Sequence, residues 1–328
     1  MACSAGGVNE VAVFDVSPLR EDLSFGVRVR GVTLEVLADP GVRAEIVALF
    51  EDRGMIVFEN VERTSRMHVA LSEVFGPLKE HPNPAVARVD AGAMPGVIDM
   101  HSKAGEGGVV ELDGRRLSGW LPWHYDHCYN NELNRAGVLR ALEIAPQGGL
   151  TGFCDGVDLY KAFSPDLRAR IEAKSILYRL DLNYEDLRFG RPDGLVEVVK
   201  KPGAAAVMAA AKGAARAVHP AVWTRRSGEK VLHVSPWMAQ GVAGEEGPEG
   251  DALLEAVCQE INAKAQAYFH AWNLTDMLIW DNWRMLHSVS GMDPGYSRRM
   301  QRTTIRGDYG LGYFENGGSG DKVLEMTV

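Results

Sequence analysis

Features that mark membrane, secreted or nucleic-acid-binding proteins are missing from this sequence of 328 residues. No apolar run reaches the ~18 residues that a membrane-spanning helix needs. The N-terminus lacks the basic segment and apolar stretch of a signal peptide, so none is expected. The net charge is −9 and no long block of Lys and Arg occurs. We therefore expect neither a membrane nor nucleic acid as a partner.

Cysteine is also scarce, and its positions show no metal-binding pattern. No CxxC or other zinc-like spacing connects the four residues, which are Cys3, Cys128, Cys154 and Cys258. Free thiols in a cytoplasmic protein are the simplest interpretation. No GxGxxG follows a predicted strand either, which disfavours a dinucleotide-binding fold of the Rossmann type.

The apolar pattern predicts a mainly β protein with flanking helices. The length allows one large domain or two ordinary ones, and a hydrophobic content of 46% suffices for a sizeable core. Helices are predicted at residues 40–54, 64–76, 155–162, 164–174 and 251–270. Strands are predicted at residues 11–15, 25–31, 55–60, 137–144, 151–154, 175–182, 220–225, 230–235, 277–281 and 300–308. Many short strands with few helices indicate a β-sandwich or barrel with helices packed outside.

Two segments differ in composition from these elements. Residues 83–120 are rich in Gly and Pro, and the Asp-Gly pair at 113–114 predicts a hairpin turn. Residues 197–218 are rich in Ala, which fits a helix, a mobile lid or a partly disordered insertion. We expect a single domain over 1–328, with a hairpin insertion near 83–120 and a lid-like segment near 183–218.

The stretch WLPWHYDHCYNN places a histidine and an aspartate two residues apart, at His124 and Asp126. On an extended strand, residues i and i+2 point to the same face. One imidazole and one carboxylate would form part of an Fe(II) site if a second histidine joined them. The same spacing also fits a histidine hydrogen-bonded to a neighbouring acid.

A candidate for the third ligand is His287, just past an apolar strand. Downstream, residues 298–308 read as a strand on which Arg298 and Arg302 share one face. Guanidinium groups directed into a pocket need anions, because a buried unpaired charge is costly. A forked Arg beside a metal pocket is suited to hold a carboxylate.

In these features the chain resembles the taurine and 2,4-dichlorophenoxyacetate dioxygenase family. The family pattern is H-x-D, a Thr or Ser about 25 residues later, a distal His, and an Arg shortly after it. Here Thr151 lies 25 residues after Asp126, His287 lies 136 residues after Thr151, and Arg298 follows His287 by 11 residues. The phrases FGPLKEHP, QGGLT and WDN also look like the family. The resemblance covers about residues 50–310.

The resemblance implies a double-stranded β-helix (jelly-roll) core and an activity that depends on Fe(II), 2-oxoglutarate and O2. It assigns the iron to His124, Asp126 and His287, and the far carboxylate of 2-oxoglutarate to Arg298 and Thr151. The expected products are succinate, CO2 and a hydroxylated substrate. A carboxylate at position 126, where related halogenases have a small residue, favours hydroxylation over halogenation.

The same resemblance suggests substrate contacts. In taurine-type members, the residues at the positions of His81 and Arg302 bind the anionic group of the substrate. A larger, more apolar or aromatic pocket is suggested by three further residues, Trp120, Tyr129 and Trp237. A slip of one residue in the last strand would exchange Arg298 for Arg299. Family members are often dimers or tetramers, so a homo-oligomer is expected.

Two other classes of function remain open at this point. One is a jelly-roll protein that binds metal without turnover. The other is a zinc or manganese hydrolase or isomerase on a cupin-like barrel, in which the spacings of Thr151 and Arg298 would have no purpose.

Overall fold

The protein is described from a computed structural model, which covers residues 13–79, 88–90, 94–211, 213–307 and 309–317. The predicted substrate residue His81 lies outside these ranges. Within the described residues, no helix combines the length and hydropathy needed to cross a membrane.

Short strands make up most of the regular structure. In chain order they are β1 (Asp15–Pro18), β2 (Val27–Arg30), β3 (Met55–Glu59), β4 (Arg88–Asp90), β5 (Met94–Ser102), β6 (Val109–Leu112), β7 (Arg115–His124), β8 (Ala136–Glu143), β9 (Thr151–Asp155), β10 (Ser175–Tyr178), β11 (Val196–Val199), β12 (Ala217–Pro220), β13 (Val222–Thr224), β14 (Lys230–Leu232), β15 (Ala239–Val242), β16 (Tyr268–His270), β17 (Met277–Asp281), β18 (Met285–Met292), β19 (Arg298–Ile305) and β20 (Tyr313–Phe314). The helices are α1 (Pro40–Arg53), α2 (Ser65–Ser72), α3 (Gly156–Ala162), α4 (Pro165–Ile171), α5 (Ala204–Ala211) and α6 (Pro248–Lys264). A mainly β protein with flanking helices was the prediction, and it is confirmed.

Two large sheets form the centre of the fold. The first has eight strands in the order β1-β2-β3-β17-β8-β19-β5-β4, and the second has six in the order β11-β6-β7-β18-β9-β16. Buried side chains from both sheets form one apolar cluster, to which β8, β17 and β19 contribute Leu139, Trp280 and Met300, while β9 and β18 contribute Phe153 and Met285. The two sheets therefore face each other across a shared core, as in a β-sandwich.

The outer face of the eight-stranded sheet is covered by α1 and α2. Helix α1 begins after Asp39, whose side chain accepts a hydrogen bond from the backbone N–H of Gly41, and it ends at Gly54 with φ 74°. A left-handed residue at this position is readily supplied by glycine. Ile46 and Phe50 of α1 are buried in an apolar cluster that also contains Ile279 of β17.

A second helical layer includes α3, α4 and α6, beside a small sheet in the order β15-β10-β12-β20. Leu254, Val257 and Ile261 of α6 belong to the same buried cluster as Ile176 of β10 and Val242 of β15. Helix α6 was predicted to reach residue 270, but it ends at Lys264, and β16 follows it.

The predicted hairpin is present as β6 and β7. Asp113 and Gly114 have φ angles of 51° and 70°, which are the positive values of a type I′ turn. The Ala-rich segment 197–218 is not one continuous helix, because it contains most of β11, then α5, then the start of β12. The single domain over 1–328, the hairpin as an insertion and the lid near 183–218 stay predictions.

Candidate active site

Strand pairing brings the two histidines of the predicted metal site together. Strand β18 lies between β7 and β9, and its pairing with β7 sets His287 directly opposite His124. The centroids of the two imidazole rings are 4.1 Å apart. The sequence pattern placed His287 in a segment after β17, whereas it lies inside β18, a strand that was not predicted.

Asp126 reaches the same place from a turn. Strand β7 ends at His124, so Asp126 is directed by the turn that follows and not by the alternation of a strand. Its peptide group is held by Asn282, which comes directly after β17. The amide Oδ1 of Asn282 accepts from the backbone N–H of Asp126 at 2.8 Å, and its Nδ2 donates to the carbonyl of Asp126 at 3.0 Å. Asn282 is fully buried and was not predicted as a site residue.

The three side chains offer a donor set that fits Fe(II). One ligand atom from each of His124, Asp126 and His287 lies within 4.8 Å of the others, and all three residues are buried. Nδ1 of His124 is 2.8 Å from the carbonyl oxygen of Pro122. That nitrogen must carry the proton, so Nε2 presents its lone pair, which is the usual arrangement of a metal-binding histidine. Two imidazoles and one carboxylate match the facial triad of non-haem Fe(II) oxygenases.

The protonation states also suit a cation. Burial lowers the pKa of His124, and burial together with the neighbouring His124 lowers the pKa of His287 well below its usual value. Burial alone would raise the pKa of the Asp126 carboxyl, but the positive charge of Arg302 opposes it, and the pKa lies below its usual value. At neutral pH the site therefore contains two neutral imidazoles and one carboxylate.

Arg302 contacts a predicted metal ligand directly. From β19 in the opposite sheet, its Nη1 donates to Oδ2 of Asp126 at 2.5 Å. The two side chains are 12% and 10% exposed. A charge-assisted hydrogen bond in such a buried position is short and strong.

A second polar group lies around Thr151, at the start of β9. Its hydroxyl oxygen accepts from Nη2 of Arg298 at 3.3 Å and from the indole Nε1 of Trp272 at 3.0 Å. Among the described residues no carboxylate forms an ion pair with Arg298, and burial lowers its pKa to about 10. Gly149 leaves room for Arg298, because a Cβ at Gly149 would lie 3.0 Å from the Cδ of the arginine. Both Arg298 and Trp272 line a cavity of about 200 Å³.

The neighbouring Arg299 points to a different partner. Its Nε and Nη2 both donate to the carboxylate of Asp99 on β5, at 2.9–3.1 Å. Its side chain is 42% exposed. The structure therefore places Arg298, and not Arg299, beside Thr151.

Aromatic side chains surround the metal-binding candidates. Trp237 makes an edge-on contact with His124 at 5.0 Å between centroids, and Trp120 on β7 contacts Tyr184 at 5.4 Å. Tyr129 follows Asp126 by three residues in the same turn, and burial raises its pKa. Tyr184 was not predicted as a site residue. The ring centroids of Tyr184 and Trp237 are 6.2 Å apart, and the Tyr184 hydroxyl donates to the carbonyl oxygen of Trp120 at 2.8 Å.

Two imidazoles and one carboxylate between two facing sheets, together with an arginine guanidinium and a threonine hydroxyl, are typical of 2-oxoglutarate-dependent non-haem iron oxygenases. The chain belongs to the taurine catabolism dioxygenase TauD, TfdA family, whose sequence model matches residues 15–304. This confirms the resemblance noted from the sequence. The protein is an oxidoreductase that uses Fe(II), 2-oxoglutarate and O2 on small organic molecules.

Two relatives are identical to this chain at about a quarter of the aligned positions. The chain is 26% identical over 300 residues to (S)-phenoxypropionate/alpha-ketoglutarate-dioxygenase of Sphingobium herbicidovorans. The alignment covers 90% of this chain and 96% of the relative. It is 27% identical over 291 residues to alpha-ketoglutarate-dependent 2,4-dichlorophenoxyacetate dioxygenase of Cupriavidus pinatubonensis, covering 87% and 95%. These relatives support the dioxygenase prediction and not the non-catalytic or zinc and manganese alternatives.

Solved structures support the fold. A putative alpha-ketoglutarate-dependent taurine dioxygenase from Burkholderia xenovorans superposes with a TM-score of 0.71 at 22% identity, covering 96% of this chain and 99% of that one. AAD-2, solved with Mn(II) and N-oxalylglycine, superposes with a TM-score of 0.66 at 22% identity, covering 91% and 99%. The predicted jelly-roll core is thereby confirmed.

Proposed function

We propose that the protein oxidises a small organic anion with an apolar or aromatic part, and that His124, Asp126 and His287 hold the iron. The observation that carries this proposal is the convergence of three buried ligand atoms within 4.8 Å. When bound, iron with 2-oxoglutarate and O2 supplies the oxidation of a substrate C–H bond, with release of succinate and CO2. The protein contributes positioning and the exclusion of water.

Arg298 and Thr151 are proposed to hold the far carboxylate of 2-oxoglutarate. The Arg298 guanidinium is largely buried without a carboxylate partner among the described residues, and a buried cation of this kind requires an anion. The oxygen of Thr151 already accepts from Arg298 and Trp272. Its own hydroxyl proton therefore remains to be donated to a carboxylate oxygen.

The substrate is proposed to be an aryloxyalkanoic acid or a similar aromatic carboxylate. The names of two relatives refer to phenoxypropionate and 2,4-dichlorophenoxyacetate. Trp120, Tyr129 and Trp237 supply aromatic surface near the site, and Arg302 supplies a cation. His81 is proposed as a further contact to the substrate anion, from the resemblance alone.

The test measures succinate formed from 2-oxoglutarate in the presence of Fe(II) and O2. The panel contains (S)-2-phenoxypropionate, 2,4-dichlorophenoxyacetate, taurine and a straight-chain carboxylate. We expect succinate release stimulated most by an aryloxy acid, and none from a His124→Ala variant, which should no longer bind metal. Stimulation by taurine alone would contradict the proposed substrate class, and the absence of any 2-oxoglutarate turnover would contradict the function.

Assembly, location and dynamics remain proposals from the sequence. They are a homo-oligomer, dimer or tetramer, a cytoplasmic location, and no membrane or nucleic-acid partner. Closure of residues 183–218 over the pocket would exclude water from the oxidation. The hydrogen bond of Tyr184 to Trp120 supports this proposal, because it connects that segment to β7 beside the site.

A further inference from the structure

The two carboxylate oxygens of Asp126 have different surroundings. Oδ1 lies 3.7 Å from Nε2 of His287. Oδ2 accepts the hydrogen bond from Nη1 of Arg302 at 2.5 Å. The guanidinium of Arg302 lies at Oδ2, whereas Oδ1 is the oxygen close to the second histidine of the candidate metal site. Oδ1 is therefore the oxygen that faces the metal position.

The restraint on Asp126 comes from two directions. Asn282 brackets its peptide group and thereby fixes the backbone of the turn. Arg302 on β19 fixes the rotation of the carboxylate. Strand β19 is paired with a strand on each side, and Arg302 lies opposite Ile98 of β5 and Leu139 of β8. The second contact crosses from one sheet to the other, so it depends on how the sandwich is closed.

The contact with Asp126 leaves part of the hydrogen-bonding capacity of Arg302 available. Its Nε is buried and has no hydrogen-bond partner among the residues that the structure describes. One guanidinium can therefore hold Oδ2 of Asp126 and still offer a donor to another group. This allows a role at the metal site in addition to the proposed contact with a substrate anion.

We propose that Arg302 is a positioning residue that holds Asp126 as a one-oxygen metal ligand. The proposal rests on the proposed function and adds to it, because anchoring a substrate would not require the contact with Asp126. With Oδ2 kept away from the metal, the carboxylate occupies one coordination position. Three positions then stay open, as the facial triad requires.

The proposal predicts an effect of opposite sign to simple electrostatics. Arg302 is a positive charge beside a cation site, so its removal would strengthen the binding of a divalent cation if charge repulsion alone mattered. If Arg302 positions Asp126, its removal weakens metal binding, because the carboxylate is no longer held in the ligating orientation. Loss of an outer-shell partner of a metal ligand typically lowers metal affinity by about 10–100-fold.

The experiment measures the dissociation constant of Mn(II) by calorimetry, without 2-oxoglutarate and without organic substrate. For Arg302→Gln we expect the constant to rise by about 10–100-fold. Arg302→Lys, which keeps the charge but not the fork, should give a smaller rise. Arg299→Gln on the same strand is the matched control and should leave the constant unchanged. Tighter or unchanged Mn(II) binding by Arg302→Gln would overturn the proposal.

Two further measurements separate the possible causes. Circular dichroism of the metal-free variants shows whether they fold. If Arg302→Gln does not fold, the Mn(II) dissociation constant of Arg302→Lys tests the proposal instead, and an unchanged constant would count against it. A residue that only anchors substrate would raise the KM for substrate and leave substrate-free Mn(II) binding alone. Wild-type protein that releases no succinate with any substrate would refute the proposed function, while a weakened Mn(II) site in Arg302→Gln would still support the positioning role.

Discussion

Replacing Arg298 by Gln tests how the cosubstrate is held. Arg298 lies against Thr151, has no carboxylate partner among the described residues and is largely buried. Each hydrogen bond between a charged group and its partner contributes about 1.5–3 kcal/mol. Glutamine retains one weaker donor, so the binding free energy of 2-oxoglutarate should weaken by about 2–4 kcal/mol. This corresponds to a roughly 30- to 1,000-fold rise in the dissociation constant of 2-oxoglutarate.

The assay is calorimetric titration of the Mn(II)-loaded protein with 2-oxoglutarate. Mn(II) affinity itself should be unchanged, because Arg298 does not contact a metal-ligand candidate. Arg299→Gln is the matched control, since the adjacent side chain is paired with Asp99. The reasoning would be refuted if the dissociation constant of 2-oxoglutarate rose by less than about threefold in Arg298→Gln, or by the same factor in Arg299→Gln.

Three other replacements test the support of the site and of the fold. Asn282→Ala leaves the peptide groups of Asp126 unpaired, so the free energy of unfolding, measured in urea, should fall by about 2–4 kcal/mol. Trp272→Phe removes one donor to Thr151, and the dissociation constant of 2-oxoglutarate should rise by about 3- to 10-fold. Burial lowers the pKa of His68 to about 3, so below its unfolded pKa of about 6.5 only the unfolded state gains the proton. Between about pH 7.5 and pH 5, the free energy of unfolding of the wild type should therefore fall by about 2 kcal/mol more than that of His68→Gln.

Each of these expectations has a control. Trp223→Phe removes an indole donor to the carbonyl of Trp283 and should not change 2-oxoglutarate binding. The amide of Gln at position 68 can still donate to the carbonyl of Val138, which accepts from Nε2 of His68 at 2.9 Å. Equal pH dependence in wild type and His68→Gln would contradict the assigned pKa. An Asn282→Ala protein of wild-type stability would contradict the role of that amide.

Local features of the fold could be predicted from the sequence because they depend on neighbouring residues. Helix α1 is predicted by its apolar spacing and by the glycine that follows its last turn, and the structure adds the cap at Asp39. The Asp-Gly pair predicts the hairpin because these residues tolerate the positive φ angles of its turn. The proposed metal ligands were found through spacings that resemble a family, and not through any local pattern of their own.

Other features depend on contacts between distant parts of the chain. Strand β18 was missed because His287, Ser288 and Ser290 interrupt the apolar alternation. The pairing of β18 with both β7 and β9 holds it in place. The choice between Arg298 and Arg299 depended on the register of β19. Asp99 on β5 engages Arg299, and Thr151 on β9 contacts Arg298.

The types of the proposed ligands, their order along the chain, and the helices and turn with local signals could all be predicted from the amino-acid sequence. The contacts of Asn282 with the backbone of Asp126, of Trp272 with Thr151, and of Arg302 with one oxygen of Asp126 became visible only in the folded protein. These contacts could not be predicted because the residues that make them are far apart along the chain. A hydrogen bond across 121 to 176 residues exists only once distant strands have paired or the two sheets have closed on a common core, and no local preference encodes it.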